Sequence, residues 1–166
     1  MLVVFGGLPG SGKTTMARAL SRELGAVHVR IDTIEQALLS SGALQGDIGP
    51  AGYFIGYGIA EDNLRLGRMV VADSVNPVQA SRDGWLDVAR RVGVRAVEVE
   101  VICSDAAEHR RRVETRTADI SGHELPTWRA VLDRHYESWR RPHHVIDTAR
   151  PDVEEQVKRL ATSLAA

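Results

Sequence analysis

Residues 7 to 15, Gly7-Leu8-Pro9-Gly10-Ser11-Gly12-Lys13-Thr14-Thr15, match the pattern GxxxxGK[ST] and carry what a phosphate site needs. Glycines at 7, 10 and 12 let backbone N–H groups approach phosphate oxygens with no Cβ in the way. An apolar run, Leu2-Val3-Val4-Phe5, precedes the loop and a helical pattern, Met16 to Leu24, follows it. The helix then points its unsatisfied N–H groups and partial positive charge at the same anion. Lys13 supplies a point charge for the β- and γ-phosphates, and the Thr14 hydroxyl is the expected Mg²⁺ ligand. Gly7, Gly10, Ser11, Gly12, Lys13, Thr14 and Thr15 are therefore the expected contacts to a nucleoside triphosphate.

Two carboxylates and two arginines extend this set. Asp32 ends the alternating run Val27-His28-Val29-Arg30-Ile31, where a base on a neighbouring strand would stand; it also suits the N-cap of a helix starting at Ile34. Asp73 follows the β-branched run before it, as a Mg²⁺-holding carboxylate does, and equally suits a turn-forming aspartate. Arg112 and Arg116 share one helix face at i, i+4, just before the glycine-containing segment 117–126, which reads as a lid. Arginines so placed can stabilise a transferring phosphoryl group; a solvated basic face is the other reading.

The elements that must position these residues alternate along the chain. Strands are expected at Leu2–Phe5, Val27–Ile31, Arg68–Asp73, Val94–Cys103 and His144–Asp147, with Cys103 as a small buried hydrophobe. Helices are expected over Met16–Leu24, Ile34–Leu39, Tyr53–Leu64, Ala80–Val92, the arginine-rich stretch 109–116, Thr127–Trp139 and Val153–Leu164. Residues 40 to 52 read as a mobile, glycine-rich connection, and Gly56 and Gly58 as points of close packing within a helix. Alternating strands and helices predict a three-layer α/β domain around a parallel sheet. Ligands then bind at the C-terminal edge of the strands, where the glycine loop, Asp32 and Asp73 converge.

Composition sets outer bounds. The 166 residues suffice for one domain with a sizeable core, and a net charge of −1 advertises no whole-protein attraction to nucleic acid or anionic membrane. One cysteine excludes an internal disulfide, and the short N-terminal apolar run is no membrane span. A cytoplasmic location is the expectation.

The chain resembles the P-loop kinases of the polynucleotide-kinase and zeta-toxin type, most closely the kinase domain of polynucleotide kinase-phosphatases. The likeness rests on the glycine loop, on Val29-Arg30-Ile31-Asp32-Thr33, and on Val70-Val71-Ala72-Asp73-Ser74-Val75-Asn76-Pro77 continuing to Ser81-Arg82; the arginine helix ending at Arg116 is a weaker fourth block. The resemblance implies a P-loop NTPase fold whose five-stranded parallel sheet has the order 2-3-1-4-5. It also implies transfer of the γ-phosphoryl of ATP, with Mg²⁺, to a hydroxyl that Asp32 activates, assisted by Lys13, Arg112 and Arg116. In viral members an arginine three residues after the base grips the acceptor's phosphate; here Glu35 stands there. That departure points to a hydroxylated small-molecule acceptor ahead of a 5′-hydroxyl polynucleotide. An ATP-binding regulatory or toxin-like module is the third expectation.

Overall fold

The structure, a computed structural model, describes residues 1–42, 47–149 and 152–165. Five strands form one parallel sheet: β1 (Leu2–Gly6), β2 (Val27–Arg30), β3 (Val70–Asp73), β4 (Ala96–Ile102) and β5 (His144–Asp147). Their spatial order is β2-β3-β1-β4-β5, as the resemblance implied. β1 lies at the centre, and all five of its residues are buried, as expected of an apolar parallel strand covered on both faces. Its register aligns Phe5 with Asp73 of β3, and Asp73 in turn with Arg30 of β2.

Helices α1 (Lys13–Leu24) and α7 (Val153–Ala165) cover one face, and α3 (Ala51–Arg65) and α4 (Gln79–Val92) the other. Met16, Ala17 and Leu20 of α1 pack with Val3, Phe5 and Val71. Trp85 and Val88 of α4 pack with Leu2, Val4 and Val70. Each fully buried side chain of this size contributes about 1.5–3 kcal/mol. Burial of this kind holds the sheet edge rigid beneath the loops that carry the polar residues. Among the described residues no helix is long and apolar enough to cross a membrane.

Several local expectations are corrected. Helix α2 (Ile31–Ser41) starts directly at the end of β2, with Arg30 as N-cap, so Asp32 lies inside its first turn rather than capping it. The glycine-rich connection falls partly on residues 43–46, outside the described residues. Helix α3 runs unbroken through its glycines; Gly56 is a close-packing position, since a Cβ there would meet Ile31 Cδ1 and Trp85, whereas Gly58 faces open space. Cys103 lies just beyond β4 and is partly exposed.

Beyond α5 (Ala106–Thr115), the helix expected over Thr127–Trp139 is only α6 (Trp128–Leu132). Tertiary partners overrule helix propensity after Leu132. The Arg82 guanidinium, fully buried in α4, donates to the carbonyls of Glu137 (2.6 Å) and Ser138 (3.2 Å) and lies over the Trp139 ring, 4.3 Å from its centroid. Glu137 N–H donates to Pro77 O (2.8 Å), and Arg141 reaches Glu98 on β4 (2.7 and 2.8 Å). A continuous helix would keep those carbonyls for itself and could not reach across the sheet face.

Candidate functional site

The glycine loop links β1 to α1 and is built for backbone approach. Gly7, Gly10 and Gly12 all have positive φ, and a side chain at Gly7 would collide with the Val101 carbonyl. Three contacts brace the loop from distant parts of the chain. Gly7 N–H donates to Val75 O (3.1 Å), His109 Nε2–H donates to Pro9 O (2.9 Å), and the Thr148 hydroxyl donates to Ser11 O (2.6 Å). His109 also meets the Trp128 ring edge-on at 5.2 Å. Neither His109 nor Thr148 carried a signal in the sequence, because each is defined by a partner about a hundred or more positions away.

Asp73, at the end of β3, is buried and hydrogen-bonds His28 Nε2 of β2 at 3.2 Å. Burial pushes its carboxyl up, but the His28 hydrogen bond, the Lys13 charge and the Thr14 hydroxyl outweigh that and hold it below the usual carboxylate value. Its Oδ1 is buried without a well-formed hydrogen bond, an orphaned hard oxygen beside Thr14 and Lys13. A hydroxyl and a carboxylate oxygen in this setting suit Mg²⁺, which takes few protein oxygens and keeps several waters.

One cavity of about 630 Å³ runs from the glycine loop to Asp32, with Thr14 and Ser74, the neighbours of Asp73, on its wall. The glycine loop, Lys13, Thr14 and Thr15 form one end; Asp32, Glu35, Tyr53 and Arg134 form the other; Arg116 and lid residues Thr117, Asp119, His123, Leu125 and Pro126 close it over. Asp32 is a quarter exposed, 3.7 Å from Arg30 Nη2. Arg30 also makes a two-point contact to Asp119 (2.8 and 3.0 Å), and Arg18 of α1 makes a third (2.6 Å), so the lid is latched to the body of the domain. Hydrogen bonds from both arginines, Arg30's the stronger, overcome burial and keep Asp119 well below the carboxylate range.

The two lid-proximal arginines differ in their commitments. Arg112 donates to Glu108 (2.7 Å) and to both the hydroxyl and the carbonyl of Thr148 (2.9 Å each), so it braces the far side of the glycine loop. Arg116 keeps a buried Nε without a hydrogen bond, and burial pulls its guanidinium below the ordinary value against the nearby Asp32 and Asp119 charges. Arg110 pairs with Glu114 on the exposed side of α5. Asn76 fixes the turn whose neighbours Val75 and Pro77 line the cavity: it has φ 49°, is fully buried, donates to Phe5 O (2.8 Å) and accepts from Trp85 Nε1 (3.1 Å). Glu35, named in the sequence only as a departure, lies half-buried in the cavity, and its pKa is pushed up to about 7 by burial and by the Asp32 charge, against Arg134.

A family model described as an AAA domain matches residues 2–142, which takes in the glycine loop, both aspartates and the lid. The chain belongs to the AAA domain family. No curated protein matches this AAA domain. Among solved structures it is similar to the APS kinase CysC of Mycobacterium tuberculosis in complex with AMPPNP and APS (TM-score 0.74, 19% identity, 99% of this chain and 97% of that chain). It is also similar to Kti12 of Chaetomium thermophilum in complex with ADP-AlF3 (0.72, 21%, 99% and 97%) and to a gluconokinase of Sinorhizobium meliloti (0.62, 20%, 98% and 94%). At these identities the likeness establishes the fold, a P-loop kinase-like domain with sheet order 2-3-1-4-5.

Proposed function

We propose that this AAA domain is a phosphotransferase that moves the γ-phosphoryl group of ATP to a hydroxyl of a small molecule. The observation that carries the reading is the single cavity running from the glycine loop to Asp32 beneath a latched lid. The loop amides, Lys13, Ser11, Thr14 and Thr15 hold the triphosphate at one end, which leaves the Asp32 end for an acceptor. Mg²⁺, held by Thr14 and Asp73, would neutralise β- and γ-phosphate charge. Asp32 accepts the proton of the acceptor hydroxyl, whose oxygen forms the new P–O bond as the bond to the β-phosphate bridging oxygen breaks and ADP leaves. Arg116, with donors to spare, stabilises the charge in transfer, and Arg112 keeps the loop in register through Thr148. Two of the similar structures hold nucleotide ligands, AMPPNP in the APS kinase and ADP-AlF3 in Kti12, which supports nucleotide use here.

The carboxyl of Glu35 beside Asp32 favours a small acceptor over a polynucleotide, whose phosphates would meet a negative charge next to the base. An ADP-release screen over sugars, nucleosides, amino alcohols and a 5′-hydroxyl oligonucleotide identifies the acceptor. On that acceptor, Asp32→Asn should lower turnover by about 10²–10⁴ while ATP–Mg²⁺ affinity stays within a few-fold. Wild-type turnover in Asp32→Asn refutes the mechanism. A raised Mg²⁺ requirement with the same rate loss would reassign Asp32 to the metal.

A further inference from the structure

Glu35 and Asp32 stand at i, i+3 on α2, so both carboxyls face the acceptor end of the cavity. Asp32 has Arg30 beside it, whereas Glu35 has no hydrogen bond or ion pair among the described residues. The packing nonetheless leaves room for its side chain. Gly52 on α3 lies against it, and any larger residue there would strike Glu35 Cγ, so the packing of α2 on α3 is shaped to admit this side chain. A half-buried carboxyl with no hydrogen bond among the described residues is free to take one from a ligand.

The charged and polar groups around it decide which donor. Arg134 is exposed, and its charge favours ionised Glu35 without a hydrogen bond to it. The Tyr53 hydroxyl accepts from Asn76 N–H (3.1 Å) and makes no hydrogen bond to Glu35 among the described residues. Arg116, His123 and Glu124 line the lid side. The far end of the same cavity must accommodate the negative charge of a triphosphate. Arg18 and Arg30 are already held by Asp119 and Arg112 by Glu108, so a second anion placed directly against Glu35 and Asp32 would meet two carboxyls, whereas a hydroxyl or an ammonium would satisfy Glu35 directly.

We infer that Glu35 is the specificity-determining residue for the acceptor: it receives a hydroxyl or ammonium carried next to the reacting hydroxyl, so the acceptor is a polyol or an amino alcohol and not a phosphate-bearing alcohol. This inference rests on the phosphotransferase reading. The groups that would carry out transfer are those assigned above, and Glu35 adds selection by rejecting an anion as much as by attracting a donor.

The test measures ADP release by wild type, Glu35→Gln and Glu35→Lys with ATP–Mg²⁺ and three acceptor sets. These are neutral polyols (glycerol, xylitol, myo-inositol), amino alcohols (ethanolamine, glucosamine) and phosphate-bearing alcohols (ribose 5-phosphate, a 3′-nucleoside monophosphate). Wild type should use a polyol or an amino alcohol at least roughly tenfold more efficiently than any phosphate-bearing alcohol. Glu35→Gln should raise KM for the preferred acceptor with little change in kcat, by roughly tenfold for a polyol and up to about a hundredfold for an amino alcohol. That difference distinguishes the two donors. Glu35→Lys should shift preference toward the phosphate-bearing set, a gain that a merely structural role for Glu35 would not produce. Wild-type preference for a phosphate-bearing alcohol, or an unchanged KM in Glu35→Gln, overturns this inference and leaves the phosphotransferase reading standing. No ADP release with any set by any of the three proteins overturns both.

Discussion

Replacing Glu35 by glutamine keeps its shape and removes its charge, and the consequence for stability is set by the crowding of carboxyls beside Asp32. Burial first, and the Asp32 charge second, raise the Glu35 pKa from 4.5 to about 7, with Arg134 opposing. Because the folded value lies above the unfolded one, its favourable contribution is complete below the unfolded pKa and is lost as pH rises through the folded pKa. A displacement of this size corresponds to about 3 kcal/mol at most, and solvent screening of a half-buried group reduces it to about 1–2 kcal/mol. The stability advantage of Glu35→Gln over wild type should therefore grow from its acidic value by about 1–2 kcal/mol between about pH 4.5 and about pH 8. In a chain of this length that is roughly 3–6 °C in Tm. Thermal and urea unfolding followed by circular dichroism across that range reads the change directly. In an Asp32→Asn background the growth should shrink, since one of its two causes is gone. A gap that stays constant with pH, or that narrows toward alkaline pH, refutes the reasoning.

Lys13→Ala should weaken ATP–Mg²⁺ binding by about 10–100-fold, the value of a charge-assisted contact, and abolish turnover; unchanged titration of a fluorescent nucleotide would count against the loop assignment. Asp119→Ala removes the latch to Arg18 and Arg30, part of it solvent-exposed, and should release about 1 kcal/mol. Amides of residues 117–126 should then exchange several-fold faster, and unaltered protection would show that the latch does not hold the lid. Arg82→Met leaves the carbonyls of Glu137 and Ser138 without their buried donor and should cost about 3–5 kcal/mol, read as a lowered urea midpoint with early proteolysis within 133–142. A loss under about 1 kcal/mol would mean that the Arg141–Glu98 contact and the Glu137–Pro77 hydrogen bond fasten that segment without Arg82.

Much of the site was legible because its parts obey local patterns. The loop from Gly7 to Thr15 has a fixed spacing, and strand alternation placed Asp32 and Asp73 at one sheet edge, where parallel topology brings strand ends together whatever the loops do. Arg112 and Arg116 were found by helical spacing, and both line the cavity, although α5 ends at Thr115 and Arg116 is its extended C-cap and not part of the helix face. The sheet order came from resemblance and not from periodicity, since alternating elements fix a parallel sheet without fixing which strand neighbours which.

Tertiary structure alone decided the rest. Asp32 is inside a helical turn and not before it because β2 passes into α2 without a loop. The helix after Thr127 stops at Leu132 because Arg82, fifty-five and fifty-six positions earlier, claims the backbone carbonyls of Glu137 and Ser138. His28 was an ordinary strand residue until the pairing of β2 with β3, in which it lies opposite Val71, let its ring reach diagonally to Asp73, and Thr148 was an unremarked threonine until folding brought it to the Ser11 carbonyl. Glu35 shows the difference most plainly: its type was visible in the chain, but its meaning depends on burial, on the room that Gly52 leaves it and on having no hydrogen bond among the described residues. Sequence determines what depends on neighbours along the chain, such as period, turn chemistry and motif spacing. Burial, pairing and electrostatic crowding depend on neighbours in space, and only the closed fold supplies those.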